Sequence, residues 1–366
     1  MTNNLPSYFS TVTDPRVVGR CSHLLSDILL IGLCTYLTGG SDYEDMRLFA
    51  IERGEELHPL LSLPNGVPSV DTFERVYKAI DPEELVACLQ MYGKDILSDL
   101  AEKQIVIDGK KLRGVSPTSQ GNRGLYILNV WVSENQFCLF QEKVEDKSNE
   151  KTAIPHALEK LDIKDTVISI DAMGTEKHIA ELIIKKEGNY LLALKGNQKS
   201  LLEDVECAFK VHHGHDVFET LEKDHGRIES RKCSILPAAE YLLEENLQEW
   251  RELNTIIRIE TSREIKGKIS CDTRYYISNE DQSKAAYYSS LIRGHWGIEN
   301  QLHWHLDVTF KEDQCRARKD YAAQNLSVLR KVALHLVSKQ KSKLSMKKRL
   351  YKAALDMEYL KGLLGI

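Results

Sequence analysis

The sequence predicts an α/β protein: a mixed sheet with flanking helices and a β-rich insertion, joined to a helical N-terminal domain. Three observations predict it. From residue 104 the chain reads as three strands in succession, then as helix, strand, helix, strand and helix, the order of a mixed sheet with helices on its faces. Residues 1 to about 95 carry helical apolar spacing with cap and stop signals instead. With 366 residues and 42% hydrophobic content, the chain can also fill a large core and more than one domain.

Each element has its own signal. SHLLSDILLIGLCTYLTGG has helical spacing and stops at Gly39 and Gly40; a second helix starts at Ser69 behind Pro68, and a third at Pro82. These helices suit either a helix-turn-helix DNA reader or a packing and dimerisation domain. QIVIDGKKL is a short β-branched run ending at Asp108 and Gly109. LYILNVWVSENQFCLFQEKV is a hairpin turning at Ser133 to Gln136. SNEKTAIPHALEKL is then helical, DTVISIDAMG a buried strand ending at Asp171, TEKHIAELIIKKEG a helix closed by Gly188, and NYLLALKGNQKS a strand. Residues from about 213 to 280 hold strand-like pieces such as NTIIRIETS, an inserted sheet or extension. Helix returns at 283, and residues 336–366 read as a basic helical C-terminal tail.

Composition narrows the classes. The formal charge of -5 does not advertise nucleic-acid binding, yet Lys339, Lys341, Lys343, Lys347, Lys348, Arg349 and Lys352 crowd together, as a phosphate-binding patch or a solvated helix face. Eight scattered cysteines without a C-x-x-C pair predict neither a disulfide framework nor a cysteine zinc site. The start MTNNLPSYFS lacks the pattern of a signal peptide, and ILLIGLCTYL falls far short of the roughly 20 residues that span a bilayer. The expectation is a cytoplasmic protein with no membrane partner.

Asp108 and Asp171 stand at the carboxyl ends of apolar strands, where open α/β sheets bind ligands and metals. If the strands are neighbours, the two carboxylates converge, and hard oxygen donors favour Mg²⁺ or Mn²⁺ between them. Taken singly, an aspartate after a strand is a turn residue or a helix cap. A two-metal phosphoryl-transfer site usually needs a third carboxylate. Glu299 is the obvious supplier, on a helix whose Trp296, Ile298, Leu302 and Leu306 form an apolar docking face.

The stretch RGHWGIENQLHWHLDVTF, residues 293 to 310, holds that glutamate among three histidines. On a helix, His295, Glu299 and His303 lie along one stripe, with Asp307 one step further. This opens a second reading, a zinc-dependent hydrolase using His295, His303 and Glu299. The histidines, eight residues apart, are separated by about 12 Å of helix rise, too far to share one ion.

The phrases VIDGKKLRG, VISIDAMGTEKHIAELI, YLLALKGNQ, HGRIESR and IRGHWGIENQLHWHLDVTFKEDQCRAR resemble those of ISAs1-group insertion-sequence transposases, which include the H-repeat-associated proteins and are related to the IS4 group. The resemblance runs over nearly the whole chain, with its motifs in order. It implies an RNase H-like DDE catalytic domain over residues 100–335, with about 213–280 matching the β insertion of IS4-like relatives. It also implies a transposase-associated helical domain over residues 1–95.

Asp108, Asp171 and Glu299 would be the metal-binding triad, with Mg²⁺ or Mn²⁺, two ions, as cofactor. The implied activity is DNA transposition: cutting element ends and joining them to target DNA by metal-dependent phosphoryl transfer. The implied partners are double-stranded DNA, both terminal repeats and target, and a second copy of the chain in the DNA complex. Where the wider IS4 pattern has Tyr, Arg and Lys around the glutamate, this chain has Ile292, His295 and Leu306, so a DNA-hairpin route is not carried over.

Phosphate contacts fall to Lys110, Lys111, Arg113, Lys195, Lys199, Arg227, Arg231, Arg293, Lys311, Arg316 and Arg318, with His295 and His303 touching DNA or steering the carboxylate. Trp296 and Trp304 read as packing residues. A catalytically inactive, transposase-derived DNA-binding protein is the third reading; retention of all three carboxylates speaks against it.

Overall fold

Strand β1 (Gln104–Leu112) does not stop at Asp108 as its apolar run suggests; it continues through four more residues. Lys110 keeps the strand going because its side chain is buried against carboxylates, so a polar letter occupies an interior position. The computed structural model describes residues 5–17, 19–58, 60–97, 100, 103–115, 125–144, 150–224 and 226–366. It divides into two units. The first comprises 1–99, 109–147 and 299–366, the second 100–108 and 148–298. Strand β1 contributes to both.

The first unit opens with helices α1 (Leu5–Phe9), α2 (Leu25–Leu37), α3 (Tyr43–Arg53), α4 (Val70–Ala79) and α5 (Pro82–Ile96). Their starts follow from local chemistry: Asp42, Ser69 and Asp81 each accept a backbone N–H of the first turn, and Pro82 fills a position that needs no donor. Helix α2 is apolar all round and almost wholly buried. Gly32 lets it be approached closely, since a Cβ there would meet the Tyr77 hydroxyl at 2.1 Å, the same hydroxyl that donates to the Ile28 carbonyl. The hairpin β2 (Leu125–Val132) and β3 (Phe137–Val144) turns at Ser133–Gln136 as predicted, with Gln136 at φ 49°. Strand order in this unit is β3-β2-β1.

The second unit continues through α6 (Glu150–Glu159), β4 (Val167–Ile170), α7 (Lys177–Lys185), β5 (Asn189–Leu194) and α8 (Lys199–Val211). Glu187, at φ 59°, makes the turn after α7 in place of the predicted Gly188. Next come β6 (Asp216–Asp224), β7 (Arg227–Pro237), α9 (Ala238–Tyr241), α10 (Glu244–Glu249), β8 (Thr255–Ile265), β9 (Lys268–Ser278) and α11 (Ala285–Ile298). Strand order here is β1-β4-β5-β9-β8-β7-β6, parallel from β1 to β5 and antiparallel beyond. The insertion therefore extends the main sheet through β9, which pairs with β5. Parallel strands beside antiparallel ones make the sheet of this unit mixed, with helices on its faces, the α/β architecture that the strand order predicts.

Helix α11 packs on the sheet face that carries Val167, Leu191, Ile257 and Tyr276, through Ala285, Tyr288 and Ile292. Beyond it the backbone widens into π-helical turns at Glu299–His303 and His305–Thr309, within the first unit. The chain closes with α12 (Ala322–Ser338), α13 (Met346–Leu355) and α14 (Met357–Leu364).

Helices α12 to α14 pack within the same unit as the N-terminal helices. Asn325 of α12 donates to the Tyr77 and Ile80 carbonyls at 2.9 Å each, and Arg53 donates to the Ala354 carbonyl at 2.8 Å. Both chain ends thus fold into one helical unit around α2 and α12, the two helices with the most buried surface positions. Among the described residues, no helix is long and apolar enough to cross a membrane.

Candidate functional site

In the second unit, β1 and β4 run parallel with Gln104 opposite Val167, Val106 opposite Ser169 and Ile107 opposite Ile170. One residue further, Asp108 and Asp171 continue that register. Neighbouring strands lie about 4.8 Å apart, and in-register residues of a parallel pair point to the same face, so the register puts Asp108 and Asp171 on one face of the sheet. Both are half-buried. Asp171 also fills its ordinary role: Oδ1 accepts the backbone N–H of Met173 at 2.9 Å and of Gly174 at 3.4 Å, starting a short 3₁₀ turn. The cap fixes the carboxyl group, and both bonds go to the same oxygen.

The face shared by Asp108 and Asp171 carries a buried polar ladder one step back. Gln104 Nε2 donates to Ser169 Oγ at 2.9 Å and to the Leu291 carbonyl at 2.7 Å, and His295 Nδ1 lies 3.1 Å from the same Ser169 Oγ. All three side chains are nearly inaccessible. Polar groups this deep lose solvation unless they are paired, so the ladder fixes α11 on the sheet. His295, expected to touch DNA, is 6% exposed and spends its ring on α11 docking.

In the first unit, Glu299 opens the π-helical stretch and is half exposed. His303, 5% exposed, lies between it and the hairpin: Nδ1 is 3.5 Å from Glu299 Oε2 and Nε2 is 3.4 Å from Asn129 Nδ2. Steering the carboxylate fits this placement; contact with DNA does not. The π-helical backbone also ends the simple α-helical stripe assumed from spacing, because each turn takes an extra residue. Ile298, Leu302 and Leu306 are buried as expected, whereas Trp296 and Trp304 are 41% and 51% exposed. Arg274 stacks over the Trp296 ring at 4.5 Å.

The basic residues divide sharply. Lys110 is buried at 6% exposure, with Asp307 Oδ1 at 2.5 Å and Glu312 Oε2 at 3.1 Å, so the expected phosphate contact is an internal ion pair. Arg227 and Arg231 converge with Arg263 on the buried Glu229 of β7, and Arg293 pairs with Glu222. Lys111 lies over the Tyr126 ring, Arg113 is 81% exposed, and Lys195 and Lys199 are exposed.

Lys311, Arg316 and Arg318 are exposed on a cleft of about 670 Å³, also lined by Lys78, Lys319, Asp42, Tyr43 and Glu74. Lys311 holds φ 52°, a left-handed conformation that a side chain rarely adopts. Lys78 and Lys319 were not foreseen: they lie far from each other in sequence and outside every quoted motif.

Residues 100–336 match the family model described as Transposase DDE domain, and residues 7–92 the one described as DDE_Tnp_1-associated. The chain belongs to the DDE transposase family. Among its relatives, "H repeat-associated putative transposase YhhI" of Escherichia coli (strain K12) is 34% identical over 99% of this chain and 97% of its own length. "Putative transposase YncI" of Escherichia coli O157:H7 is 35% identical over 99% of this chain and 94% of its own. A cryo-EM structure of the piggyBac transposase synaptic complex with hairpin DNA aligns with a TM-score of 0.43 at 12% identity, covering 99% of this chain and 81% of that one. The transposase family uses divalent metal, and the half-buried carboxylates of Asp108 and Asp171 offer the hard oxygen donors such ions take.

Proposed function

We propose that this chain is an active DNA transposase in which Asp108, Asp171 and Glu299 hold two Mg²⁺ or Mn²⁺ ions. One observation supports the reading: β1 and β4 pair in parallel up to Ile107 and Ile170, the residues just before Asp108 and Asp171, on the sheet where His295 of α11 meets Ser169. From Ser169 to Asp171 the strand advances about 6.6 Å. From His295, which bonds Ser169, to Glu299 a helix advances about 6 Å. Glu299 immediately follows the last residue of α11, the helix that the ladder at Ser169 fastens.

The donor set fits the ions, since it offers only carboxylate oxygens and two of them come from adjacent strands, where like charges repel without a cation. Bound ions would activate the attacking hydroxyl and stabilise charge on the leaving oxygen. The chain's own residues hold the carboxylates in place: the Asp171 cap, the Gln104–Ser169–His295 ladder and the contacts of His303 with Glu299 and Asn129. The reaction is two in-line displacements. Water attacks the phosphodiester at the element end and frees a 3′ hydroxyl; that hydroxyl then attacks a target phosphodiester and releases the target strand's 3′ oxygen. The exposed cations Lys311, Arg316 and Arg318 hold duplex DNA by its phosphates, and two copies bring two ends together.

The test is cleavage of a duplex carrying the element end, with Mg²⁺ or Mn²⁺. Metal-dependent cleavage is expected for the wild type and is lost in Asp108→Ala, Asp171→Ala and Glu299→Gln. Full cleavage by any variant removes that residue from the triad. Intact end binding without cleavage by the wild type points to an inactive DNA-binding copy.

A further inference from the structure

A lysine buried on the strand that carries Asp108 asks for a reason, since an aliphatic residue would fill the position without desolvating a charge. Lys110 is two residues beyond Asp108, hence on the same face of β1. Its ammonium meets Asp307 at 2.5 Å, Glu312 at 3.1 Å and Asp313 at 3.9 Å. Glu312, 1% exposed, is held in turn by Ser327 Oγ, which donates to Oε1 at 2.7 Å. Backbone contacts tighten the same junction. The Arg113 N–H donates to Asp313 Oδ1 at 3.1 Å, Arg318 Nε donates to the Gly114 carbonyl at 3.0 Å, and a Cβ on Gly114 would lie 2.2 Å from the Asp313 carbonyl oxygen. The segment after β1 is thus clamped to the segment that follows the π-helical turns.

π-Helical turns are less stable than α-helical ones and persist where outside contacts hold them. Asp307 lies in the second of the two π stretches, the first of which begins at Glu299. We propose that Lys110 is a positioning residue: by locking Asp307 and Glu312 it fixes the π-helical register that presents Glu299 and His303. The proposal rests on the reading of Glu299 as a metal ligand. Buried ion pairs are best attested as devices that select one register over another, and here the alternative is an α-helical continuation that turns Glu299 and His303 by different amounts. Lys110 itself touches neither metal nor DNA.

The test uses full-length protein and reads Mn²⁺ binding by electron paramagnetic resonance, alongside metal-free affinity for an end duplex across a salt series. Lys110→Met is expected to weaken Mn²⁺ binding at least tenfold while duplex affinity and its salt slope stay within twofold of wild type. Asp307→Asn, at a site one-third exposed, is expected to do the same and covers the case where Lys110→Met fails to fold. The exchanged pair Lys110→Asp with Asp307→Lys is expected to recover Mn²⁺ binding to within threefold. A merely structural lysine would lower the melting temperature and leave Mn²⁺ binding alone, which overturns the proposal. Weaker duplex binding with a shallower salt slope also overturns it, making Lys110 a phosphate contact. Mn²⁺ binding that is indifferent to Asp171→Ala would overturn the metal-site reading itself, and this proposal with it; dependence on Asp171 but not on Lys110 overturns this proposal alone.

Discussion

Replacing Ser169 by alanine removes one hydroxyl that serves two buried partners. Its Oγ accepts from Gln104 at 2.9 Å and lies 3.1 Å from His295 Nδ1, at a residue 1% exposed. Losing one partner of a buried hydrogen bond costs about 1–3 kcal/mol. Gln104 keeps the Leu291 carbonyl at 2.7 Å, which places its share at the low end. The sum is about 2–4 kcal/mol, and at about 1.4 kcal/mol per tenfold it becomes roughly 30- to 700-fold. Because a chain of two units need not unfold in one step, local opening is the better observable. Hydrogen–deuterium exchange at α11 amides is expected to accelerate by that factor in Ser169→Ala, while Ser270→Ala, at an exposed site on β9, leaves it unchanged. Acceleration below threefold would refute the claim that the ladder fastens α11, and with it the argument that aims Glu299.

Gly114→Ala forces a methyl group to within 2.2 Å of the Asp313 carbonyl oxygen and 2.7 Å of that of Cys315; calorimetry is expected to show a melting temperature lower by about 2–8 °C, whereas Gly196→Ala, with nothing near its Cβ, leaves it unchanged. Lys311→Ala and Arg316→Ala are each expected to lower the salt slope of duplex binding by about 1 without changing stability, as measured by fluorescence anisotropy. Burial pushes His335 from its usual 6.5 down to about 4. The unfolded chain therefore takes up the proton first, so the contribution of His335 is complete above pH 6.5, shrinks as pH drops and is fully lost near pH 4. His335→Phe, beside Phe137, is expected to gain about 2 kcal/mol on the wild type between pH 7.5 and pH 5 in denaturant titrations; an equal difference at both pH values refutes it.

Much of this is legible in the sequence itself. Apolar runs and turn residues located the β2–β3 hairpin, β4, β5 and their helices, because those strands lie deep and their sequences carry few polar letters. Asp108 and Asp171 stand out because VID and SID repeat one local pattern, and the parallel register aligns the two repeats, although only Asp171 follows the end of its strand.

What could not be read depended on long-range partners. The KK after Asp108 looked like the end of a strand, since nothing local announces that Lys110 meets Asp307, Glu312 and Asp313 some two hundred residues later. The arginines of HGRIESR looked like phosphate ligands, but Glu229 inside the same phrase gathers them. A π-helix and an α-helix share too much apolar spacing to be told apart by pattern, so the change of backbone after Ile298 is not legible, although Glu299 and His303 stay neighbours as their spacing predicts. The last thirty residues looked like a tail because their lysines dominate the count. Leu350 of α13 and Leu360 and Leu363 of α14 are the buried residues that anchor these two helices.

The central claim is that Asp108, Asp171 and Glu299 bind the catalytic metal together. The most direct measurement is an anomalous difference map from crystals of the full chain soaked in Mn²⁺. The account predicts peaks within about 2.3 Å of carboxylate oxygens from all three residues, at a separation near 4 Å if two ions are present. Peaks bound by other residues, or a well-ordered Glu299 that coordinates nothing while the aspartates do, would contradict it.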